Sequence, residues 1–202
     1  YRSHAAAIGL DPEWTLPEKD SLSLHCQRAG LNYPQGAEVD KVLQRTKQEA
    51  IDDAEVLRRL EADGNLNAVE IEKLRVQSQQ LTYDDLPRLA ELILAREGVA
   101  DLYRAHFASV VVDEFQDLTP QQLRIVNRIG RGRTTYAGDL AQGIYGFTGA
   151  RPEEVHDQIV DEVDEVVELS ESHRSSPAVL AAVNALVPLT KGTTLTCAAP
   201  ET

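Results

Sequence analysis

Four acidic residues stand where a carboxylate could do chemistry. Asp113, Glu114 and Asp117 follow the run Ser109-Val110-Val111-Val112, and Asp139 follows a second short run, Thr134 to Ala137. Carboxylates are hard oxygen ligands suited to Mg²⁺, which keeps several waters and bridges one or two acids to substrate phosphates. A neighbouring acid can then accept a proton from an attacking water. Taken singly, each of these residues is also an ordinary loop residue or helix cap, as turn preferences allow. Two later stretches add polar and aromatic groups: Gly138-Asp139-Leu140-Ala141-Gln142-Gly143-Ile144-Tyr145-Gly146-Phe147-Thr148-Gly149-Ala150, and Ser172-His173-Arg174-Ser175.

The elements that must position these residues alternate between strand and helix. Ser109 to Val112 is a continuous apolar run of the kind buried on both faces of a parallel sheet. Thr119-Pro120 opens a helix in cap-then-proline order, Leu123, Ile125, Val126 and Ile129 give its apolar side, and Gly130 closes it. Thr134 to Ala137 and Val166 to Leu169 read as further strands, and Ser176-Pro177 caps a helix through Val179, Leu180, Val183, Leu186 and Val187. Upstream, Thr82 reads as a helix cap with Asp85 three residues on, and Leu89, Leu92, Ile93 and Ala100 continue one amphipathic helix past Gly98. Strands alternating with helices imply right-handed βαβ units, in which ligands bind at the carboxyl ends of the strands. That is where the acids stand.

The first 80 residues have a different texture. Val39, Val42 and Leu43, then Ile51, Ala54, Val56, Leu57 and Leu60, then Val69, Ile71, Leu74 and Val76 recur at spacings of three and four, with Gly64-Asn65 as a turn between the last two helices. Before Ala37, prolines and glycines leave loops and at most one short helix near Leu22 to Ala29. No apolar stretch approaches the roughly 20 residues of a membrane span, and no secretion signal is visible. Cys26 and Cys197 lie far apart and in no metal-ligand spacing, which fits a reducing compartment, with the cytoplasm as the default. His4, His25, His106 and His156 form no ligand spacing either. The net charge of −13 argues against binding nucleic acid through a general basic surface. Nine of the acids lie between Arg151 and Glu171 against a single Arg, so most of the excess is a local solvated face.

Read in order, the Asp113–Asp117 string, the Gly138–Ala150 stretch and the Leu169–Ser175 segment resemble motifs II, III and IV of the superfamily 1 DNA helicases of the UvrD/Rep/PcrA type. Leu81-Thr82-Tyr83-Asp84-Asp85-Leu86 resembles the stretch that precedes the family's Asp-Glu motif. The likeness is strong from about Leu81 to Asn184 and rests on position and texture before that. It implies an α/β fold: a RecA-like parallel sheet with flanking helices over residues 81–202, a partial first motor domain, plus an inserted all-α subdomain over residues 1–80. By the same resemblance Asp113 would hold the Mg²⁺ of MgATP, and Glu114 would orient and deprotonate the hydrolytic water. Gln142 would sense the γ-phosphate and link it to DNA, and Arg174 would stabilise charge on that phosphate. His173 takes a position where an aromatic often packs on adenine. Tyr145 and Phe147 would lie near single-stranded DNA, Phe147 being the better placed to stack on a base. Stacking of this kind is worth roughly 1–3 kcal/mol without reading sequence. The whole protein would be an ATP-dependent 3′-5′ helicase or translocase acting with repair or recombination proteins.

The sequence departs from the family pattern at Thr148, where Arg is usual, at Gly146, and at Ser172-His173, where Asn-Tyr is commoner. It contains no Gly-x-x-x-x-Gly-Lys-Ser/Thr loop to cradle phosphates. With no Met and a start at Tyr1, the expectation is an excerpt that begins after that loop and is inactive alone. Two other readings stay open at this point. One is a metal-dependent nuclease or phosphohydrolase in which Asp113, Glu114, Asp117 and Asp139 collect Mg²⁺ without nucleotide, and the other is a helicase-like interaction module without catalysis.

Overall fold

The computed structural model describes residues 2–17, 21–146, 149–190 and 192–198. It is mixed α/β, mostly helical, with short parallel strand pairs, and its backbone contacts divide it into two compact units. The first comprises Tyr1–Ala108 with Arg124–Ile129, the second Ser109–Leu123 with Gly130–Thr202. By these contacts residues 81–108 fall in the first unit. No described helix is long and apolar enough to cross a membrane. Cys26 and Cys197 are both unbridged.

The first unit holds α1 (Ser21–Arg28), α2 (Tyr33–Lys47), α3 (Asp53–Ala62), α4 (Leu66–Gln77), α5 (Asp85–Leu94) and α6 (Glu97–His106). Helix α2 begins earlier than its apolar periodicity suggests, because Asn32 and Gln35 form a reciprocal capping box and Pro34 fits the first turn. Asp52 and Asn65 cap α3 and α4 through the amides of Glu55 and Ala68. Their apolar faces meet in a core of Val39, Leu43, Val56, Leu60, Ala68 and Ile71. The single long helix expected after Thr82 is two helices, because Arg96 takes an extended backbone conformation (ψ 110°) between α5 and α6.

A buried ionic network ties α2, α3, α4 and α5 together. Lys47, Arg75 and Arg88 face Asp53, Glu72 and Asp85, and all but Asp53 have side chains at most 1% exposed. Asp85 is its hub: one carboxylate oxygen lies 3.0 Å from Lys47 Nζ and 2.8 Å from Arg88 Nη2, and the other accepts from the Thr82 amide and hydroxyl. Arg75 reaches Glu72 at 2.6 Å and Asp53 at 2.7 Å, donates to the Gln80 carbonyl, and lies over the Trp14 ring. Lys47 sits 2.9 Å from Glu72 Oε2, an ion pair by distance though not by hydrogen-bond angle. Three cations against three anions make the cluster neutral, which is what burial demands.

The second unit holds β1 (Val110–Val112), α7 (Pro120–Gly130, of which Arg124–Ile129 belong to the first unit), β2 (Thr134–Tyr136), α8 (Pro152–Glu162), β3 (Glu171–Ser172), α9 (Pro177–Asn184), α10 (Val187–Thr190) and β4 (Thr196–Cys197). Strands β1 and β2 pair in parallel with Val110, Val111 and Val112 opposite Thr134, Thr135 and Tyr136. A separate parallel pair joins β3 to β4. The crossover between β1 and β2 runs through α7, capped by the Thr119–Gln122 box. Leu123 of α7 packs on Val155 and Ile159 of α8, with Phe115, Leu118 and Tyr136 around them.

Two expected strands differ from what forms. Val111 is 71% exposed, so β1 is buried on one face and not on both. Val166 to Leu169 forms no strand; Val166, Val167 and Leu169 are exposed, and pairing begins only at Glu171. A strand is defined by its partner, and these four residues have no ladder among the described residues. Helix α8 arises inside the acidic run, where Pro152 starts it, Glu153 and Glu154 suit its positive end, and Val155 and Ile159 give an i,i+4 buried pair.

The ionic network makes stability acid-sensitive. Burial alone would raise the Asp85 carboxyl, but Lys47, Arg75, Arg88 and the Thr82 amide hold it well below its ordinary value of 3.8. A carboxylate whose pKa is lowered by folding stabilises the fold above the unfolded pKa, and that contribution fades as pH falls through the folded one. Unfolding free energy from urea titrations should therefore be level with respect to this group above about pH 5 and fall below about pH 4, by up to ~1.4 kcal/mol per pH unit for one proton. Asp85→Asn, which strands buried cations, should cost about 3–5 kcal/mol at pH 7.

Candidate active site

Because β1 and β2 run in parallel and in register, both strands deliver their following loops to the same edge. The backbone extends this pairing past the strands: Ala137 donates to the Val112 carbonyl at 2.8 Å and Phe115 donates to the Ala137 carbonyl at 3.0 Å. Between them the chain turns sharply at Glu114, whose φ of 56° and ψ of 47° are left-handed. A non-glycine residue adopts that conformation only at a cost of about 1–2 kcal/mol, and such strain clusters at functional sites. The turn is held by the Glu114 amide donating to Asp113 Oδ1 at 3.0 Å and by the Asp117 amide donating to the Glu114 carbonyl.

The two loops are joined by one side chain. Gln116, 2% exposed, donates from Nε2 to Glu114 Oε2 at 2.6 Å, while its Oε1 accepts the Asp139 amide at 3.0 Å. Asp139 in turn caps the short 3₁₀ turn Leu140–Gln142 by accepting from the Ala141 amide at 2.9 Å, and its other oxygen accepts from Gln142 Nε2 at 2.9 Å. Glu114, Gln116, Asp139 and Gln142 thus form one continuous hydrogen-bonded series. Gly138 makes room for it: a Cβ there would sit 2.4 Å from Gln116 Oε1 and 2.6 Å from the Phe115 ring. Nearby, burial and the charge of Glu162 push the Tyr136 phenol up to about 12, so it stays neutral and serves as a core residue.

Asp113 and Glu114 are exposed, and Asp113 has one oxygen without a partner among the described residues. An exposed carboxylate with an oxygen to spare is the hard donor type that Mg²⁺ takes. Asp117 turns inward, with Oδ1 buried and unpartnered among the described residues. The four acids do not converge: among the described residues, the one set of three carboxylates with oxygens within 4.8 Å of one another is Asp53, Glu72 and Asp85, and that set is neutralised by its cations.

Tyr145 lies exposed after the 3₁₀ turn, and Phe147 and Thr148 fall outside the described residues. His173 and Arg174 occupy the bend between β3 and α9, both exposed. Arg174 makes no ion pair among the described residues, so the neighbouring acidic run does not engage it. Gln116 is the member that residue types did not reveal. Its signal is only that a Gln two places after an acidic pair can reach back to it, which needs the left-handed turn at Glu114 to be known.

The UvrD/REP helicase N-terminal domain family model matches residues 10–161. The chain is 35% identical over 132 residues to ATP-dependent DNA helicase UvrD2 of Mycobacterium tuberculosis, a span covering 61% of this chain and 19% of that protein. It is 35% identical over 114 residues to ATP-dependent DNA helicase Rep of Escherichia coli K12 (53% and 16%) and 33% identical over 105 residues to DNA helicase II of the same organism (50% and 15%). The matched span is less than a fifth of the length of these relatives.

The strain at Glu114 has a direct readout. Glu114→Gly and Glu114→Ala both remove the carboxylate, but only glycine accepts the left-handed conformation freely. Chemical denaturation should find the glycine variant more stable than the alanine variant by about 1 kcal/mol. Equal stabilities would show that the turn relaxes at no cost.

Proposed function

Since this chain belongs to the UvrD/REP helicase N-terminal domain family, we propose that it is part of an ATP-dependent DNA helicase that moves 3′ to 5′ on single-stranded DNA, in repair or recombination. The observation that carries the reading is the Gln116 bridge, which puts Glu114 and Gln142 in one hydrogen-bonded series at the carboxyl edge of paired parallel strands. In this reading residues 81–202 belong to a RecA-like motor domain and residues 1–80 to an inserted helical subdomain.

Asp113 would hold the ion that accompanies ATP, and Mg²⁺ there would supply charge neutralisation for the phosphates. Glu114 orients a water and takes up its proton as the water oxygen bonds to the γ-phosphorus and the bond to the bridging oxygen of ADP breaks. Arg174, unengaged by neighbouring acids, stabilises the charge on the transferred group. Gln142 meets the γ-phosphate from the second loop, and His173 packs against the base. Tyr145 and Phe147 contact single-stranded DNA by stacking, which requires no basic surface and is compatible with a net charge of −13. The rival in which four acids collect metal ions is disfavoured by their failure to converge.

Two measurements test this. The 202-residue chain, which has no phosphate loop of its own, should show no DNA-stimulated ATP hydrolysis, whereas the longer protein that contains it should. In that longer protein Glu114→Gln should lower the turnover rate by roughly 10²–10⁴-fold while ATP still binds. Hydrolysis by the chain alone, or Mg²⁺-dependent DNA cleavage that persists without ATP, would contradict the reading.

A further inference from the structure

The Gln116 amide offers one donor side and one acceptor side, and its surroundings use each once. Glu114 Oε2 can only accept, and the Asp139 amide can only donate, so a single orientation of the amide satisfies both. At 2.6 Å the bond to Glu114 is short, as bonds to an ionised carboxylate tend to be, and the donor is buried. Glu114 itself is exposed on a left-handed turn. A long acidic side chain in that setting loses rotamer freedom when it is fixed, so something rigid has to fix it.

We propose that Gln116 is the positioning residue for the Glu114 carboxylate and, through the Asp139 amide and carboxylate, couples it to Gln142. This rests on the ATP-hydrolysing role assigned to Glu114 above. The series runs Glu114 Oε2, Gln116 Nε2 and Oε1, Asp139 amide and Oδ2, Gln142 Nε2, with links of 2.6, 3.0 and 2.9 Å. A displacement of Gln142 by a ligand on the second loop therefore reaches the carboxylate on the first through one intervening side chain and one backbone unit. Gly138 belongs to the same device. A Cβ there would strike Gln116 Oε1 and the Phe115 ring beside it. Neither Gln116 nor Gly138 is hydrogen-bonded to Asp113 among the described residues, so the expected effect falls on the water-orienting carboxylate rather than on the ion's ligand.

The test uses steady-state, DNA-stimulated ATP hydrolysis by the longer protein that contains this chain. Gln116→Met keeps length and volume but removes both hydrogen bonds, and Gly138→Ala displaces the amide without removing it. Each should lower kcat on the order of 10- to 100-fold, the scale of a misplaced catalytic group, with KM for ATP changing less than about twofold. The double variant should be no worse than the more impaired single, because both act through one contact. Gln116→Asn, a buried amide one methylene too short to span both partners, carries the same expectation and serves where Met is not tolerated. The proposal is overturned if kcat survives in these variants, if kcat and KM move together with thermal stability, or if the two single effects multiply. An unsubstituted protein that hydrolyses no ATP would overturn the assigned role of Glu114 together with this inference, whereas an active protein indifferent to Gln116 overturns the inference alone.

Discussion

The candidate site depends on a parallel pairing that lasts only three residues per strand and on one buried amide that extends its effect. Past the register of β1 and β2 the Phe115 amide donates to the Ala137 carbonyl, and Gln116 then reaches both the Glu114 carboxylate and the Asp139 amide. Remove the bridge and the acids after β1 become a solvated turn, while the residues after β2 become a separate loop. With it, groups 28 positions apart in sequence, Glu114 and Gln142, share one set of hydrogen bonds. The cost is a left-handed Glu114 and a glycine at 138 that no side chain can replace without moving the amide. Both are concessions a fold makes where geometry matters more than local stability.

The helical unit is specified by a different kind of interaction. Its apolar core would allow several packings of α2 to α5 with similar burial, since volume and hydrophobicity alone select folds loosely. The six-residue ionic network admits few, because each charge moved out of place is left buried and unpaired. The chain therefore keeps balanced charges inside and carries its acidic excess outside, chiefly on α8 and the residues after it. The net charge says little about what the site binds, because an edge that uses stacking and a few positioned groups needs no basic field.

Sequence reasoning reached the helices with clear caps and periodicity, such as α3, α4 and α7, and the strand pair whose β-branched runs end in acids. It failed where tertiary context decides. Val166 to Leu169 has a strand composition, but strand formation requires a partner that composition does not reveal. The break at Arg96 leaves no proline or glycine as a marker at that position. Helix α8 was hidden because its acids outnumber its two buried apolar residues, Val155 and Ile159. In the site, Asp113, Glu114 and Gln142 were legible as residue types in a resembling order. Gln116 was not, because its role comes from a backbone conformation at Glu114 and a contact across strands. The same holds for Asp85, whose place as hub of the six-residue ionic network follows from how four helices meet.

The central claim is that the loop after β2 reports to the carboxylate after β1. The most direct measurement is the ratio of ATP hydrolysis rates with and without single-stranded DNA, in the longer protein, for Gln142→Ala against the unsubstituted form. If Gln142 joins nucleotide chemistry to the DNA side, that ratio collapses until DNA no longer changes the rate, while KM for ATP stays close to its original value. A Gln142→Ala protein stimulated by DNA as strongly as the unsubstituted one would contradict the account.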